Sequence, residues 1–356
     1  MKRSHSWAIG ICFLVCSVLC FWLQTALAET KPTKLKFANW LPPINPVSKV
    51  FEDWARDFEK RTGGRYEVEV VHGGALAGIM ESYDTVAKGV VDIASFVPHH
   101  SPKPFPLSSV STFPWSRARA DLYTKVWFSN VYRKGYLDKE YADVKVIMQY
   151  LCPTEDFLTV RPINSMAELK GVKIIGGPGV KVKIAKTLGI VWVFGGPAEA
   201  YEMLQKGIAE GIFISGLGLK EFHWDEFIRY LIEPLRMGSV MHAVVMNKAT
   251  YNRMPADVRA IIDEMDKEGQ YSSRASKAFE DLTSSTIKSF LERGGKSINW
   301  SPDDIDRLHK LLSPIWKEEI EELEKKGMPA KKIVDEFYVG LKKEGVKSPA
   351  VGYEPD

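Results

Sequence analysis

Strand-like and helix-like segments alternate along the chain in two rounds, and this alternation restricts the possible folds more than any other feature. In the first round, Leu35–Asn39, Tyr66–Val71 and Asp92–Phe96 have the apolar patterns of strands. Helical spacing between them marks two helices, one through Val47, Phe51, Trp54 and Phe58 and the other through Ile79, Tyr83, Val86 and Val90. This order predicts an α/β lobe whose mainly parallel sheet is covered by helices on both faces.

The same pattern starts again after Pro153. The predicted strands of this second round are Lys173–Ile175, Val191–Phe194 and Gly211–Ile214, and the predicted helices between them are Val180–Leu188 and Pro197–Lys206. Ser239–Asn247 is a further predicted strand, able to return the chain to the first sheet. The simplest architecture is therefore two α/β lobes, with the second lobe inserted into the first.

The last part of the chain is predicted to be helical. Apolar stripes run through Val258–Met265 and through Leu308–Ile315. Ser301-Pro302-Asp303-Asp304 is a strong helix start, because it combines a capping serine, a proline at the first helical position and acids in the first turn. We therefore predict lobe I from 29–152 plus about 240–300, lobe II from 153–239, and C-terminal helices from 301–356.

The first 28 residues have the features of a cleavable secretory signal peptide. Lys2 and Arg3 precede an apolar stretch, and Ala26-Leu27-Ala28 is a small-x-small cleavage site. A membrane anchor is the alternative, since the apolar stretch approaches spanning length. Cleavage after Ala28 removes two positive charges and no acid, so the formal net charge falls from +3 to +1. A nearly neutral mature chain gives no reason to expect nucleic acid as a partner, and we expect a periplasmic location.

The glycine-rich stretch after the predicted strand at Lys173 invites a nucleotide-binding interpretation. Gly176, Gly177 and Gly179 lead into a predicted helix, but Val180 stands where a phosphate-binding loop needs a lysine and a hydroxyl residue. A dinucleotide-binding turn belongs on a first strand with an acid about twenty residues later, and that acid is missing here. The glycines are therefore interpreted as a turn, and the residue of this stretch that bears on ligand binding is Ile175.

The sequence contains no recognisable catalytic or metal-binding set. His99-His100 lies in a predicted loop without acids or cysteines at zinc-ligand spacing. Ser215 lacks the flanking glycines of a nucleophile elbow. Cys152 is the only cysteine after residue 28, and it is interpreted as a buried structural thiol. We expect no enzyme activity, no cofactor and no metal.

Five blocks, in this order, resemble the substrate-binding proteins of TRAP transporters, of the DctP type: "RTGGRYEVEVVHGGALAG", "YDTVAKGVVDIA", "RPINSMAELKGVKI", "GGPAEAYEMLQKGIAEG" and "VMNKATYNRMPADVRAIIDEM". The similarity spans about Leu35 to Phe290. The resemblance implies a periplasmic binding protein of the two-lobed, type II-like α/β class, with a helical C-terminal segment that braces both lobes. It also implies that the closed form delivers a small ligand to TRAP membrane permease subunits.

The resemblance further implies a carboxylate-binding arginine just after the "LKG" block, and that position holds Ile175. A second arginine is often found six residues ahead of Arg161, where this chain has Glu155, and an asparagine of the family falls near Ile214. A charge-assisted hydrogen bond contributes roughly 1.5–3 kcal/mol, so losing the clamp should weaken carboxylate binding. Lys181 and Lys183 are the candidates to replace it.

Aromatic and apolar side chains at predicted strand ends are expected to form the ligand site instead. With the positions that the resemblance points to, the candidate ligand-binding residues are Asn39, Trp40, Tyr83, Phe96, Tyr150, Glu155, Ile175, Gly176, Phe213, Ile214, Ser215 and Trp224. These residues favour a neutral, aromatic or partly cationic molecule, the cation stacking on an indole or phenol face. An organic acid remains the default for the family.

Two other functions remain open from the sequence. One is a periplasmic ligand-sensing partner of a membrane receptor, which gene neighbourhood would distinguish from a transport component. The other is a secreted enzyme built on the binding-protein fold. Such an enzyme would need a reactive pair in the cleft, and the sequence offers only Glu155 and Cys152, which lie close together in the chain.

Overall fold

The computed structural model describes residues 31–100, 104–116 and 118–355, and two β-sheets organise that part of the chain. The predicted signal peptide, residues 1–28, lies outside the described residues. The eleven strands of the described chain are β1 (Thr33–Ala38), β2 (Tyr66–Val71), β3 (Ile93–Phe96), β4 (Val144–Leu151), β5 (Glu155–Thr159), β6 (Lys173–Gly176), β7 (Val191–Phe194), β8 (Gly211–Ile214), β9 (Tyr230–Met237), β10 (Met241–Asn247) and β11 (Lys296–Ile298).

Helices cover both sheets. The α-helices are α1 (Pro46–Arg61), α2 (Ser82–Ala87), α3 (Ala120–Trp127), α4 (Val180–Thr187), α5 (Pro197–Gln205), α6 (Gly218–Glu221), α7 (Lys248–Arg253), α8 (Ala256–Met265), α9 (Gln270–Glu292), α10 (Pro302–Glu324) and α11 (Ala330–Lys343). A π-helical turn, Phe128–Tyr132, extends α3, and short 3₁₀ turns lie at Pro98–His100, Ser108–Thr112, Met166–Leu169 and Trp224–Glu226. Within the described chain, no helix is both long enough and apolar enough to span a membrane.

Lobe I is built on the five-stranded sheet β2-β1-β3-β10-β4. Strand β1 pairs in parallel with β2 and β3, as predicted, whereas β10 runs antiparallel to both β3 and β4. Helix α1 begins where Pro46 supplies a fixed backbone angle and the Asn45 side chain accepts a hydrogen bond from the Val47 amide. Its apolar face, with Phe51, Trp54 and Phe58 fully buried, packs on the sheet.

Lobe II is built on the six-stranded sheet β11-β9-β5-β8-β6-β7. Strand β6 is parallel to β7 and β8, and β5 is antiparallel to β8 and β9. Ile174 and Ile175 point to opposite faces of the sheet, because side chains alternate along a strand. Ile174 packs in the cluster that contains α4, and Ile175 packs in the cluster that contains α5.

Two short connections and one long helix join the lobes. Residues 152–154 lead from β4 to β5, and residues 238–240 lead back from β9 to β10. Helix α9 packs on α1 and α3 in lobe I and on α6 in lobe II. Its Phe279 is buried in the core of lobe I and its Phe290 in the core of lobe II.

The C-terminal helices contact both lobes. Helix α10 packs on α4 of lobe II, and α11 packs on α3 and its π-helical extension in lobe I. The start of α10 was predicted correctly, since the Ser301 side chain accepts a hydrogen bond from the Asp304 amide. Trp316 of α10 contacts Trp115 of lobe I with ring centroids 4.9 Å apart.

Two predictions about element boundaries were wrong. Residues 240–300 were assigned to lobe I, but Lys296–Ile298 forms a parallel pair with β9 in lobe II, because α9 carries the chain from one lobe to the other. The helix predicted through Ile79 and Val90 is limited to Ser82–Ala87. Val90 follows the turn at Gly89, which has a positive φ of 73°, and its side chain is 70% exposed.

Candidate functional site

The lobes meet at the edges where their strands end, and the side chains there form one compact group. We define the cleft cluster as Trp40, His99, His100, Tyr150 and His242 of lobe I together with Glu155 and Lys181 of lobe II. The carboxyl ends of parallel strands are where open α/β sheets bind ligands. The cluster therefore occupies the expected place for a ligand site between two lobes.

An ion pair forms the lobe II side of the cleft cluster. The Lys181 Nζ lies 2.7 Å from Glu155 Oε1 and 2.6 Å from Oε2, and both side chains are only 4% exposed. The same ammonium lies 5.6 Å from the centre of the Phe213 ring. Burial raises the pKa of Glu155 above its ordinary value, and Lys181 opposes that shift. The lysine is thus held by a carboxylate of its own chain.

Three histidines form much of the lobe I side of the cluster, and burial keeps them neutral. Burial lowers the pKa of His242 to about 3 and that of His100 to about 4. The pKa of His99 lies well below its ordinary value for the same reason, and the charge of Lys181 adds to the shift for both His99 and His100. At neutral pH the histidines therefore contribute no positive charge.

Aromatic rings pack around His242. Its imidazole lies 5.7 Å from the Trp40 ring, 5.3 Å from Tyr150 and 5.5 Å from Phe279, measured between ring centroids. The pairing of β10 with β4 places His242 directly opposite Tyr150, on the edge that faces lobe II. The cluster is therefore largely aromatic on the side of lobe I.

Several buried polar atoms of the cluster have no hydrogen-bond partner among the residues that the structure describes. They are Trp40 Nε1, Tyr150 Oη, His99 Nδ1, His242 Nδ1 and Glu155 Oε2, the last of which lies 2.6 Å from the Lys181 ammonium as an ion-pair contact but accepts no hydrogen bond. Buried polar groups in folded proteins are nearly always hydrogen-bonded, and each exception needs an explanation. Five such atoms in one interlobe cluster are candidates for hydrogen bonds to a bound ligand.

The glycine turn after β6 lets the two lobes approach closely. A Cβ on Gly176 would lie 2.0 Å from a ring atom of Trp192, whose indole donates a hydrogen bond to the Gly177 carbonyl at 3.1 Å. A Cβ on Gly177 would lie 3.9 Å from His99 Nε2 of lobe I. The turn is therefore shaped by close packing, which agrees with its interpretation as scaffold.

The structure brings some of the predicted ligand-binding residues into the cluster. Trp40, Tyr150 and Glu155 are members, and Gly176 and Phe213 lie beside it. Ile214 and Ser215, at the end of β8, are half-buried. Lys181 and Lys183 differ sharply, because Lys183 lies at the surface with Glu319 and Glu322 of α10, 2.5 and 3.0 Å away.

The other predicted residues are packed elsewhere. Ile175 is fully buried beneath α5, and Trp224 is fully buried against Phe222 in lobe II. Tyr83 and Phe96 pack with Phe105 in lobe I. Asn39 is held by Ser48, Ser95, His72 and the Leu41 amide. Each is accounted for by contacts within its own lobe.

The histidines of the cleft cluster were not predicted as candidate ligand-binding residues. From the sequence, His99 and His100 were considered only as metal ligands, and His242 was not considered. The available signal was the position of His99 and His100 just after β3, at the edge where Trp40 follows β1. His242 needed the pairing of β10 with β4, which joins residues 92 positions apart. Across the described chain, no group of three or more His, Cys, Asp or Glu side chains is arranged to hold a metal ion.

A concavity of about 570 Å³ lies on the hinge between the 118–119 loop and α9. Charged side chains line its rim, and those of Arg119 and Lys288 are already paired with Asp121 and Glu292. The cleft cluster is the stronger candidate for a ligand site, because it is mostly buried, draws on both lobes and carries unpaired polar atoms.

The neutral histidines predict a specific pH dependence of stability. The folded pKa of His242 is about 3, below its ordinary value of 6.5, so the unfolded chain binds more protons between these pH values. The contribution of neutral His242 to the unfolding free energy is therefore fully present above pH 6.5 and is lost as the pH falls towards 3. We expect His242 to account for about 2 kcal/mol of lost unfolding free energy at pH 5.

Urea unfolding of the wild type and of His242→Gln at pH 7.5 and 5 measures this contribution. The wild type should lose about 2 kcal/mol more than the variant on acidification. His309→Gln, on α10 and outside the cluster, is the matched control. Equal acid sensitivity of wild type and His242→Gln would contradict the burial of a neutral His242.

Comparison with known proteins places this geometry in a family context. The family model for bacterial extracellular solute-binding protein family 7, DctP, matches residues 37–323. The resemblance seen in the five sequence blocks is thereby confirmed, over a longer span than those blocks covered. A relative from Comamonas testosteroni, named outer membrane transporter protein TsaT, is 24% identical over 319 residues, which cover 87% of this chain and 92% of the relative.

Solved structures share the fold. A TRAP periplasmic solute-binding protein from Bordetella bronchiseptica, with bound (R)- and (S)-mandelate, is 22% identical with a TM-score of 0.79, covering 88% of this chain and 100% of that one. A TRAP solute-binding protein from Rhodoferax ferrireducens T118, in complex with copurified benzoate, is 21% identical with a TM-score of 0.77, covering 87% and 98%. At these identities the likeness establishes the two-lobed fold.

Proposed function

Because the chain belongs to family 7 of the bacterial extracellular solute-binding proteins, the DctP family, we propose that it captures a small organic molecule at the cleft cluster and delivers it to TRAP membrane subunits. The observation that carries the proposal is the buried cluster to which both lobes contribute. A ligand that satisfies groups of both lobes stabilises the closed form, since binding shifts the equilibrium towards the state with more contacts. We also propose export by the signal peptide and a periplasmic location.

A binding role accounts for the site better than catalysis does. Cys152 is buried, and burial together with nearby Glu155 raises the pKa of its thiol well above the ordinary value. A thiol of that kind is a poor nucleophile, because the thiolate is the reactive form. Glu155 is held by Lys181 and is therefore not free to act as a general base. We propose that the protein is not an enzyme.

The proposed site is atypical for the family in its charged groups. Ile175 and Ile214 stand where the resemblance implies an arginine and an asparagine, and Glu155 stands where a second arginine is common. The structural relatives named above hold mandelate and benzoate, which are small aromatic acids. The cleft cluster of this chain is largely aromatic on the side of lobe I, and it contains no guanidinium.

Mass spectrometry of small molecules released from the native protein tests the proposed function. The protein purified from its own periplasm should release one solute in near-stoichiometric amount, and the solute should be absent after unfolding, dialysis and refolding. Adding the identified solute back should raise the melting temperature, because ligand that binds the native state alone stabilises it. Release of no solute, together with no thermal shift from any solute of the periplasmic extract, would contradict the proposal.

A further inference from the structure

The charges of the cleft cluster are already balanced within the chain. Lys181 is the one lysine or arginine among the seven cluster residues, and both oxygens of Glu155 lie within 2.7 Å of its ammonium. A carboxylate ligand that shared Lys181 would lie beside the Glu155 carboxylate and be repelled by it, and one that took Lys181 for itself would leave Glu155 buried without a partner. Breaking a buried pair in this way is strongly unfavourable. The site therefore disfavours an added negative charge.

An added positive charge is disfavoured by the same balance. Glu155 is the one carboxylate of the cluster, and it already forms an ion pair with Lys181. A cationic ligand would have to displace that lysine into a site where the remaining groups are neutral histidines, a phenol and an indole. The ion pair thus disfavours the binding of anionic and of cationic ligands alike.

The unpaired polar atoms call for a ligand that both accepts and donates hydrogen bonds. Trp40 Nε1 can only donate, so it needs an acceptor such as a carbonyl oxygen. Glu155 Oε2 can only accept, whereas the Tyr150 hydroxyl and each imidazole nitrogen accept or donate, the imidazole according to its tautomer. A carboxylate has no N–H or O–H to offer these acceptors, whereas a primary amide has a carbonyl and two N–H groups.

The side chains around these atoms are mostly aromatic. Trp40, Tyr150 and Phe279 surround His242 with centroid separations of 5.3–5.7 Å, which are separations at which aromatic rings attract one another. We propose that the solute is an uncharged aromatic carbonyl compound, of the aromatic amide type, that binds while the Glu155–Lys181 pair stays intact. This inference rests on the proposed function, because it names the ligand class of the same site.

Matched ligand pairs separate charge from shape. Isothermal titration of the refolded, ligand-free mature chain at pH 7.5 would compare benzamide with benzoate, 3-hydroxybenzamide with 3-hydroxybenzoate, and mandelamide with mandelate, with benzylamine as the cationic member. We expect the amide of at least one pair to bind at least tenfold more tightly than its acid and than benzylamine. An acid or benzylamine that binds as tightly as the best amide, or a panel in which no amide binds, would overturn the proposal.

The Tyr150→Phe variant locates the binding. It keeps the ring and removes a hydroxyl that has no partner in the described part of the chain, so folding should be unaffected. The affinity for the bound amide should fall about fivefold, the usual effect of one neutral hydrogen bond. Tyr201→Phe, whose hydroxyl faces Glu226 at the surface, is the control. An unchanged amide affinity in Tyr150→Phe would overturn the placement.

The two proposals can fail separately. If acids bind and amides do not, the inference about the ligand class is wrong while the role as a solute receptor stands. If no member of the panel binds but a solute is released from the native protein, the inference about the ligand class is again wrong and the role as a solute receptor again stands. If no solute is released and nothing in the panel or the periplasmic extract binds, both proposals are wrong.

Discussion

Replacing Lys181 by methionine is expected to lower the unfolding free energy by about 3–5 kcal/mol, the usual cost of breaking a buried ion pair by removing one partner. The variant would leave the Glu155 carboxylate 4% exposed and without its cation. For a chain of this size the melting temperature should fall by roughly 5–10 °C. Urea unfolding and differential scanning calorimetry at pH 7.5 measure the two quantities.

Lys183→Met is the matched control for this experiment. Lys183 lies two residues away on the same helix, α4, but its side chain is 35% exposed, and its partners Glu319 and Glu322 are 18% and 57% exposed. Exposed pairs contribute at most about 1 kcal/mol. The double variant Glu155→Gln/Lys181→Met should recover much of the lost stability, because it leaves no unpaired charge. Equal effects of Lys181→Met and Lys183→Met would contradict the buried pair.

Replacing Trp316 by alanine is expected to lower the unfolding free energy by about 3–5 kcal/mol, the typical loss when a large core side chain is removed. The indole is fully buried, and it contacts Phe113 and Trp115 of lobe I with centroid separations of 5.4 and 4.9 Å. Its Nε1 also donates a hydrogen bond to the Val351 carbonyl at 2.8 Å. The substitution therefore removes a large apolar contact between α10 and lobe I, together with a hydrogen bond to the C-terminal residues.

The neighbouring Lys317→Ala is the control, since the Lys317 side chain is 81% exposed and should contribute less than about 0.5 kcal/mol. Limited proteolysis gives a second readout. In Trp316→Ala the chain should be cut near its C-terminus at lower protease concentrations than in the wild type, because local opening becomes easier. A Trp316→Ala protein as stable as Lys317→Ala would show that α10 does not brace lobe I.

Local periodicity was sufficient to predict much of the fold. The strands Tyr66–Val71, Val191–Phe194 and Gly211–Ile214 were predicted with the ends that the structure shows. Their side chains alternate strictly or form short apolar runs, and such patterns depend only on neighbours in the chain. The pattern near Ile79–Val90 was misleading, because Gly89 ends the helix early and exposes Val90. Lys296–Ile298 carries too few residues for any period to be recognised.

The candidate site was predicted less completely than the fold. Trp40, Tyr150 and Glu155 were expected at the cleft, and the structure brings them into one cluster. The sequence also suggested that Glu155 would repel acids, but it did not reveal that Lys181 neutralises Glu155 from 26 positions away. Ile175 was identified as the departure from the family pattern, whereas its burial beneath α5 depends on how β6 packs in the sheet.

The α/β class, the two rounds of strands and helices, and the family could all be predicted from the residues alone. Each of these properties depends on patterns among residues that are near one another in the chain. Which charges meet, and which polar atoms are left unpaired in the cleft, became known from the folded chain. An ion pair or a hydrogen bond depends on distances of a few ångströms between groups far apart in sequence, and packing alone sets those distances.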